Sequence, residues 1–131
     1  MPRQAITAPG GAPPSGAYSQ AIEAGGFVYV SGQGPLDPKT GAVTGATIEE
    51  QVRATFSNIA AILAAASLTL DDVIKVTAYL SDIGLFDRYD AVYRTMFTPP
   101  FPARTTVGAQ LHGMLVEIDV VARKPRARRP R

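Results

Sequence analysis

The chain contains no cysteine and no tryptophan, and His112 is its one histidine. Without cysteine there is no disulfide framework, no thiolate nucleophile and no sulfur-ligated zinc or iron–sulfur cluster. A single histidine excludes a multi-histidine metal centre and leaves only carboxylates for a hard cation such as magnesium; no metal is expected. Long apolar runs are also missing. The longest, Ile59 to Leu70, has twelve residues including Ser67 and Thr69, too few to span a bilayer. Met1-Pro2-Arg3-Gln4 leads into a polar Pro/Gly-rich stretch rather than an apolar signal segment, so a cytoplasmic protein is expected. What is present, 131 residues at 46% hydrophobic, suffices for one compact core.

The net charge of +2 is unevenly spread. Six of the thirteen basic residues lie in the last nine positions, leaving seven basic against eleven acidic side chains in residues 1–122, a net of −4. A nucleic-acid reader carries its positive charge on a folded face with aromatics to stack on. Here an acidic body precedes a Pro-interrupted basic tail, so residues 1–122 are expected to form a single domain and 123–131 a disordered tail. Neither a membrane nor a nucleic acid is the expected partner.

Pro9 to Gly16 reads as a loop, because its glycines and prolines propagate neither helix nor strand. Ser19 to Ala24 and Phe27 to Gly32, separated by Gly25-Gly26, read as a β-hairpin. Thr47 to Ala66 is the clearest helix. Thr47 and Glu50 have capping-box spacing, and Ile48, Val52, Phe56, Ile59, Leu63 and Ala66 form one apolar stripe. Ile74 to Leu80 alternates as a strand, and a second helix covers about Ile83 to Phe97, with Phe86, Tyr89, Tyr93 and Met96 on one face; Pro99 and Pro100 stop it. Ala103 to Ala109 and Leu115 to Ala122 read as two closing strands. The order ββ-α-β-α-ββ predicts an α+β domain with both helices on one face of a mixed sheet.

If the two closing strands pair antiparallel, opposed residues share a face. With Val107 and Val116 in the core, Arg104 and Glu117 then point together to the other side. Arg104 reads either as half of a cross-strand or interface ion pair, or as a planar fork gripping a substrate carboxylate. Glu117 reads as its salt-bridge partner or as a base that orients water. Tyr18 reads as a packing residue with its hydroxyl at a rim. Ser31-Gly32-Gln33-Gly34 lacks the lysine and spacing of a phosphate loop. His112 falls in an exposed turn, and Asp71-Asp72 sits at a helix–strand junction.

These residues also carry a resemblance. Gly16-Ala17-Tyr18-Ser19-Gln20-Ala21-Ile22, Val28-Tyr29-Val30-Ser31-Gly32-Gln33, Phe101-Pro102-Ala103-Arg104-Thr105-Thr106-Val107 and Val116-Glu117-Ile118 resemble the Rid (YjgF-type) family of reactive-intermediate enamine/imine deaminases. Glu50-Gln51 with Asn58, Val73-Ile74-Lys75-Val76, and Phe86 with Tyr93 and Phe97 fit the same pattern, in order, over about residues 5 to 122. The resemblance implies a chorismate-mutase-like α+β fold, a homotrimer with sites between subunits, and no cofactor. It implies hydrolysis of 2-aminoacrylate and 2-iminobutyrate to 2-keto acids and ammonia. Arg104 would bind the substrate carboxylate and Glu117 would position or activate water, with Tyr18, Ser31 and Gly32 as further pocket contacts. Asp90 stands where many such deaminases have asparagine; a carboxylate there would repel an anionic substrate or demand a cationic part of it. Thr106 stands where some have cysteine, and His112-Gly113 in a turn that commonly holds proline. A non-catalytic trimeric sensor of a carboxylated metabolite and an endoribonuclease are the alternatives.

Overall fold

The computed structural model describes residues 2–125. Residues 126–131, most of the expected tail, lie outside the described residues. Its first two positions belong to the folded domain. Arg123 ends the last strand opposite Phe27, while Lys124 donates its amide to the Gly26 carbonyl (2.9 Å) and its Nζ pairs with Glu23 (3.1 Å).

Six strands form one sheet: β1 (Gln4–Ile6), β2 (Ala21–Ala24), β3 (Phe27–Gln33), β4 (Val73–Leu80), β5 (Ala103–Gly108) and β6 (Val116–Arg123). Two helices, α1 (Ile48–Ala65) and α2 (Phe86–Met96), pack together on one face, so the α+β architecture is the expected one. The β2–β3 hairpin turns through Gly25 and Gly26 at φ +60° and +84°, which glycine adopts without steric cost. Ahead of α1, Thr47 Oγ1 accepts the Glu50 amide, but the Glu50 carboxylate accepts from the Thr47 hydroxyl rather than its backbone N–H. The reciprocal capping box is instead at Thr69 and Asp72, where a 3₁₀ turn starts β4. No helix of the described residues is long and apolar enough to cross a membrane.

The core lies between sheet and helices. Val28 and Val30 of β3, Val76, Ala78 and Leu80 of β4, and Val116, Ile118, Val120 and Ala122 of β6 meet Val52, Phe56, Ile59, Ile62 and Leu63 of α1 and Tyr89 and Tyr93 of α2. Period two along the strands and 3.6 along the helices aim these residues at one another. Two buried amides on α1 tie down the loops that frame β3 and β6. Asn58 donates to the Gly34 and Leu36 carbonyls (3.1 and 2.8 Å), and Gln51 donates to the Gly45 carbonyl (3.0 Å) and accepts the Leu115 amide (2.8 Å).

The sheet order is β1-β2-β3-β6-β4-β5. This corrects the expected pairing of the two closing strands. β6 lies between β3 and β4, antiparallel to both, and β5 runs parallel to β4 at the edge. The crossover through α2 returns the chain beside β4 in the parallel sense, as a βαβ connection does. β6, with four buried positions alternating along it, suits the interior of a sheet; β5, with none, suits its edge. Val107 is 40% exposed, not in the core.

Candidate functional site

The edge placement of β5 decides where Arg104 points. In the parallel register Arg104 lies beside Val76 and Thr106 beside Ala78, so both side chains take the helix face of the sheet. A guanidinium is tolerated there because α2 supplies an aromatic cradle. Its carbon is 4.4 Å from the Tyr93 ring centre, 5.3 Å from Tyr89 and 5.4 Å from Phe86. Residues 86, 89 and 93 share one helical face, which is why all three rings reach the same cation.

Arg104 Nη1 donates to Asp90 Oδ1 (2.7 Å), and Asp90 Oδ2 accepts from Arg94 Nη2 (3.3 Å), one helical turn on. Arg94 in turn lies 5.9 Å from the Phe101 ring centre. These groups, with Pro102, line a cleft of about 300 Å³. Burial works against the charge on Arg104, but the Asp90 hydrogen bond and the neighbouring tyrosines and carboxylate outweigh it, so the pKa moves up and the guanidinium stays charged. Burial pushes the Tyr93 hydroxyl up to about 12, with Arg104 pulling the other way. That hydroxyl is buried without a hydrogen-bond partner among the described residues. Thr106 is occupied: its hydroxyl and that of Tyr89 share a 2.9 Å hydrogen bond beneath Arg104.

Glu117 is on the opposite face. It lies across from Tyr79 of β4, on the side of the sheet that no helix covers, with Asp119 two residues on. The expectation that Arg104 and Glu117 share a face is therefore overturned. It rested on Val107 facing the core; Val107 instead lies beside Tyr79 on the face of Glu117 and is 40% exposed, which turns Arg104 toward the helices. The repulsion expected of Asp90 is also offset, because both its oxygens face guanidinium groups.

Around Glu117 a second cluster forms. The β3–β6 register shifts between Val30 and Gln33, a bulge spanning Ser31 and Gly32. The Glu117 carboxylate lies over Gly32: a β-carbon there would come within 2.7 Å of its Oε2. Ser31 Oγ donates to the Ser19 carbonyl (2.6 Å), which anchors the bulge to the segment before β2. Tyr18 stands exposed in that segment, its hydroxyl receiving the Ser15 amide (3.1 Å). Burial raises the Glu117 pKa, Asp119 raises it further, and His112 opposes. Asp119 is likewise raised by burial, with Tyr79 and Lys75 lowering it.

The proposed site residues thus divide. Arg104, Asp90 and Thr106 gather on the helix face; Glu117, Gly32 and Ser31 gather on the other. Sequence reasoning missed Arg94 and the role of the three rings as a cradle. The signal was present in their i, i+3 and i+7 spacing, with Asp90 and Arg94 four apart, but aromatic spacing reads equally as core. Among the described residues no group of three or more histidine and carboxylate side chains is placed to hold a metal.

Gly32→Ala is expected to drive the Glu117 carboxylate off the bulge while the fold survives. NMR titration of the Glu117 carboxyl would report a shifted midpoint; an unchanged titration would show that the close approach at Gly32 does not set the environment of Glu117.

The sequence profile of the family described as Endoribonuclease L-PSP matches residues 9–124. RutC family protein PH0854 of Pyrococcus horikoshii is 45% identical over 113 residues, covering 85% of this chain and 90% of that one. Among solved structures, YyfA of Yersinia pestis, described as a protein of unknown function of the conserved Rid family, superposes with a TM-score of 0.88 at 37% identity, covering 93% of this chain and 99% of its own. Escherichia coli TdcF with bound serine superposes with a TM-score of 0.87 at 30% identity, with the same coverage of 93% and 99%.

Proposed function

Given that the chain belongs to the endoribonuclease L-PSP family, which takes in the Rid and YjgF proteins, we propose that it hydrolyses small 2-imino acids of the 2-aminoacrylate and 2-iminobutyrate type to 2-keto acids and ammonium. The observation that carries this reading is the presentation of Arg104. Its guanidinium has five N–H donors; its one charge-paired hydrogen bond among the described residues goes to Asp90, and the group lines the cleft, where the fork suits a carboxylate. The serine bound to TdcF is a molecule of the same outline, a carboxylate beside a nitrogen-bearing carbon.

The chemistry asks little of the side chains. The enamine tautomerises to an imine, and the protonated imine carbon is already electrophilic. Water adds to that carbon while a base takes its proton, giving a carbinolamine. The carbinolamine loses its nitrogen as the C=O forms, so iminium plus water becomes keto acid plus ammonium. Arg104 holds the carboxylate and thereby fixes the imine carbon. Glu117, a carboxylate with a raised pKa, takes the proton from water and can return it to the departing nitrogen.

Because the two residues lie on opposite faces of one sheet, no single copy brings both onto one small molecule. The reading therefore includes a homotrimer in which Arg104 of one copy meets Glu117 of the next. The uncovered sheet face and the β5 edge supply the surface, with Tyr29 and Val107 exposed on them. Arg104→Ala and Glu117→Gln proteins, each inactive alone, should recover activity when unfolded and refolded together. Random trimers would reach roughly a quarter of the wild-type rate, since three in four would contain one intact site of three. No recovery, or a monomer by light scattering, would remove the shared site.

An endoribonuclease reading takes its support from the family's description. Assaying the wild-type protein on single-stranded RNA separates the two: RNA cleavage without keto-acid release would replace the deaminase.

A further inference from the structure

The cleft that exposes Arg104 also exposes a carboxylate. Asp90 Oδ1 lies 2.7 Å from Arg104 Nη1, and the Asp90 side chain remains 25% exposed at the cleft wall. Each carboxylate oxygen has two lone pairs, and the two guanidinium contacts of Asp90 leave acceptor capacity. A cation with spare donors and an anion with spare acceptors therefore stand side by side. Their complement is a molecule whose negative and positive groups are carried on adjacent carbons.

We infer that Asp90 makes this cleft selective for 2-imino and 2-amino acids whose α-nitrogen is positively charged, over 2-hydroxy and 2-oxo acids of the same skeleton. The inference rests on the reading that Arg104 takes the substrate carboxylate. The α-nitrogen is separated from that carboxylate by one carbon, so a ligand gripped by Arg104 brings its nitrogen to the neighbouring Asp90. The four groups then alternate in sign around a closed quartet, each charge flanked by two of the opposite kind. A hydroxyl or keto oxygen in place of the nitrogen gives up this attraction, and the keto oxygen turns its lone pairs toward the carboxylate.

Two consequences follow for the reaction. Asp90 favours the protonated imine, which is the electrophilic form. It also discriminates against the product, which has exchanged its cationic nitrogen for a neutral acceptor. Arg94 moderates both effects, because it draws on the second oxygen of Asp90 at 3.3 Å.

The test is calorimetric and uses two unreactive ligands, 2-aminobutyrate and 2-hydroxybutyrate, near neutral pH. Wild-type protein should bind the amino acid about tenfold more tightly, the worth of one charge-assisted hydrogen bond in a partly exposed cleft. Asp90→Asn should bring the ratio close to one while keeping affinity for 2-hydroxybutyrate. Arg94→Gln, which frees the second oxygen of Asp90, should widen the ratio. If Asp90 served only to prop Arg104, Asp90→Asn would weaken both ligands alike and leave the ratio unchanged, which overturns the inference. A wild-type ratio near one, or no binding of either ligand, overturns it as well. Keto-acid release from 2-iminobutyrate is measured separately: its absence with the tenfold preference intact would sink the deaminase and spare the selectivity.

Discussion

Replacing Arg104 with alanine is expected to lower kcat/KM for 2-iminobutyrate on the order of a thousandfold, the scale on which enzymes lose a preorganised ionic donor. Two effects combine. The carboxylate loses its fork, and Asp90 loses the cation that kept its charge from opposing an anionic substrate. Lysine should restore little. A point charge cannot reproduce the planar fork, nor stack against three rings at 4.4 to 5.4 Å while still reaching Asp90. The protein should stay folded, because Arg104 lies at the sheet edge and the rings beneath it pack on one another and on Phe56. Steady-state kinetics with freshly generated substrate decide the matter. Wild-type rates in Arg104→Ala would take the residue out of the reaction.

Glu117→Gln is expected to cost roughly a hundredfold or more in kcat, the usual contribution of a positioned base, with little change in carboxylate binding. Its pH profile follows from burial. Burial and then Asp119 raise the Glu117 pKa, so wild-type activity should fall on acidification at a pH above the ordinary carboxylate range. The sign for stability is opposite to that of a salt-bridged acid. A raised native pKa means the folded protein binds the proton more tightly than the unfolded chain, so stability falls as pH rises from the unfolded to the folded value. Glutamine removes the half-buried charge. Glu117→Gln should therefore match or exceed the wild-type melting temperature at neutral pH while losing activity. A variant that loses both would mark Glu117 as structural.

Much of the fold is legible in the chain. The stripe from Ile48 to Ala66 and the alternation from Val116 to Ala122 name their elements within a residue or two, because helix and strand periods are local. Gly25-Gly26 announces its turn for the same reason. β1 was missed: three residues at a sheet edge make too short an alternation to detect. The site was legible as a set of residues but not as an arrangement. Pattern reading puts an apolar residue such as Val107 inside, and parity then turns Arg104 away from the helices, whereas Val107 is exposed. The rings that receive it on the buried side look, in sequence, like any apolar helix face.

By themselves, the residues determined the order of the elements from β2 to β6, the α+β class and the family, since each rests on local periodicity or on motifs read along the chain. Only the tertiary structure decided that β6 is interior, that β5 runs parallel at the edge, and that Arg104 and Glu117 lie on opposite faces. Alternation defines two faces of a strand without saying which strand lies beside it. That choice is made by burial and hydrogen bonding between segments far apart in sequence, and with it goes the direction of every side chain in the site.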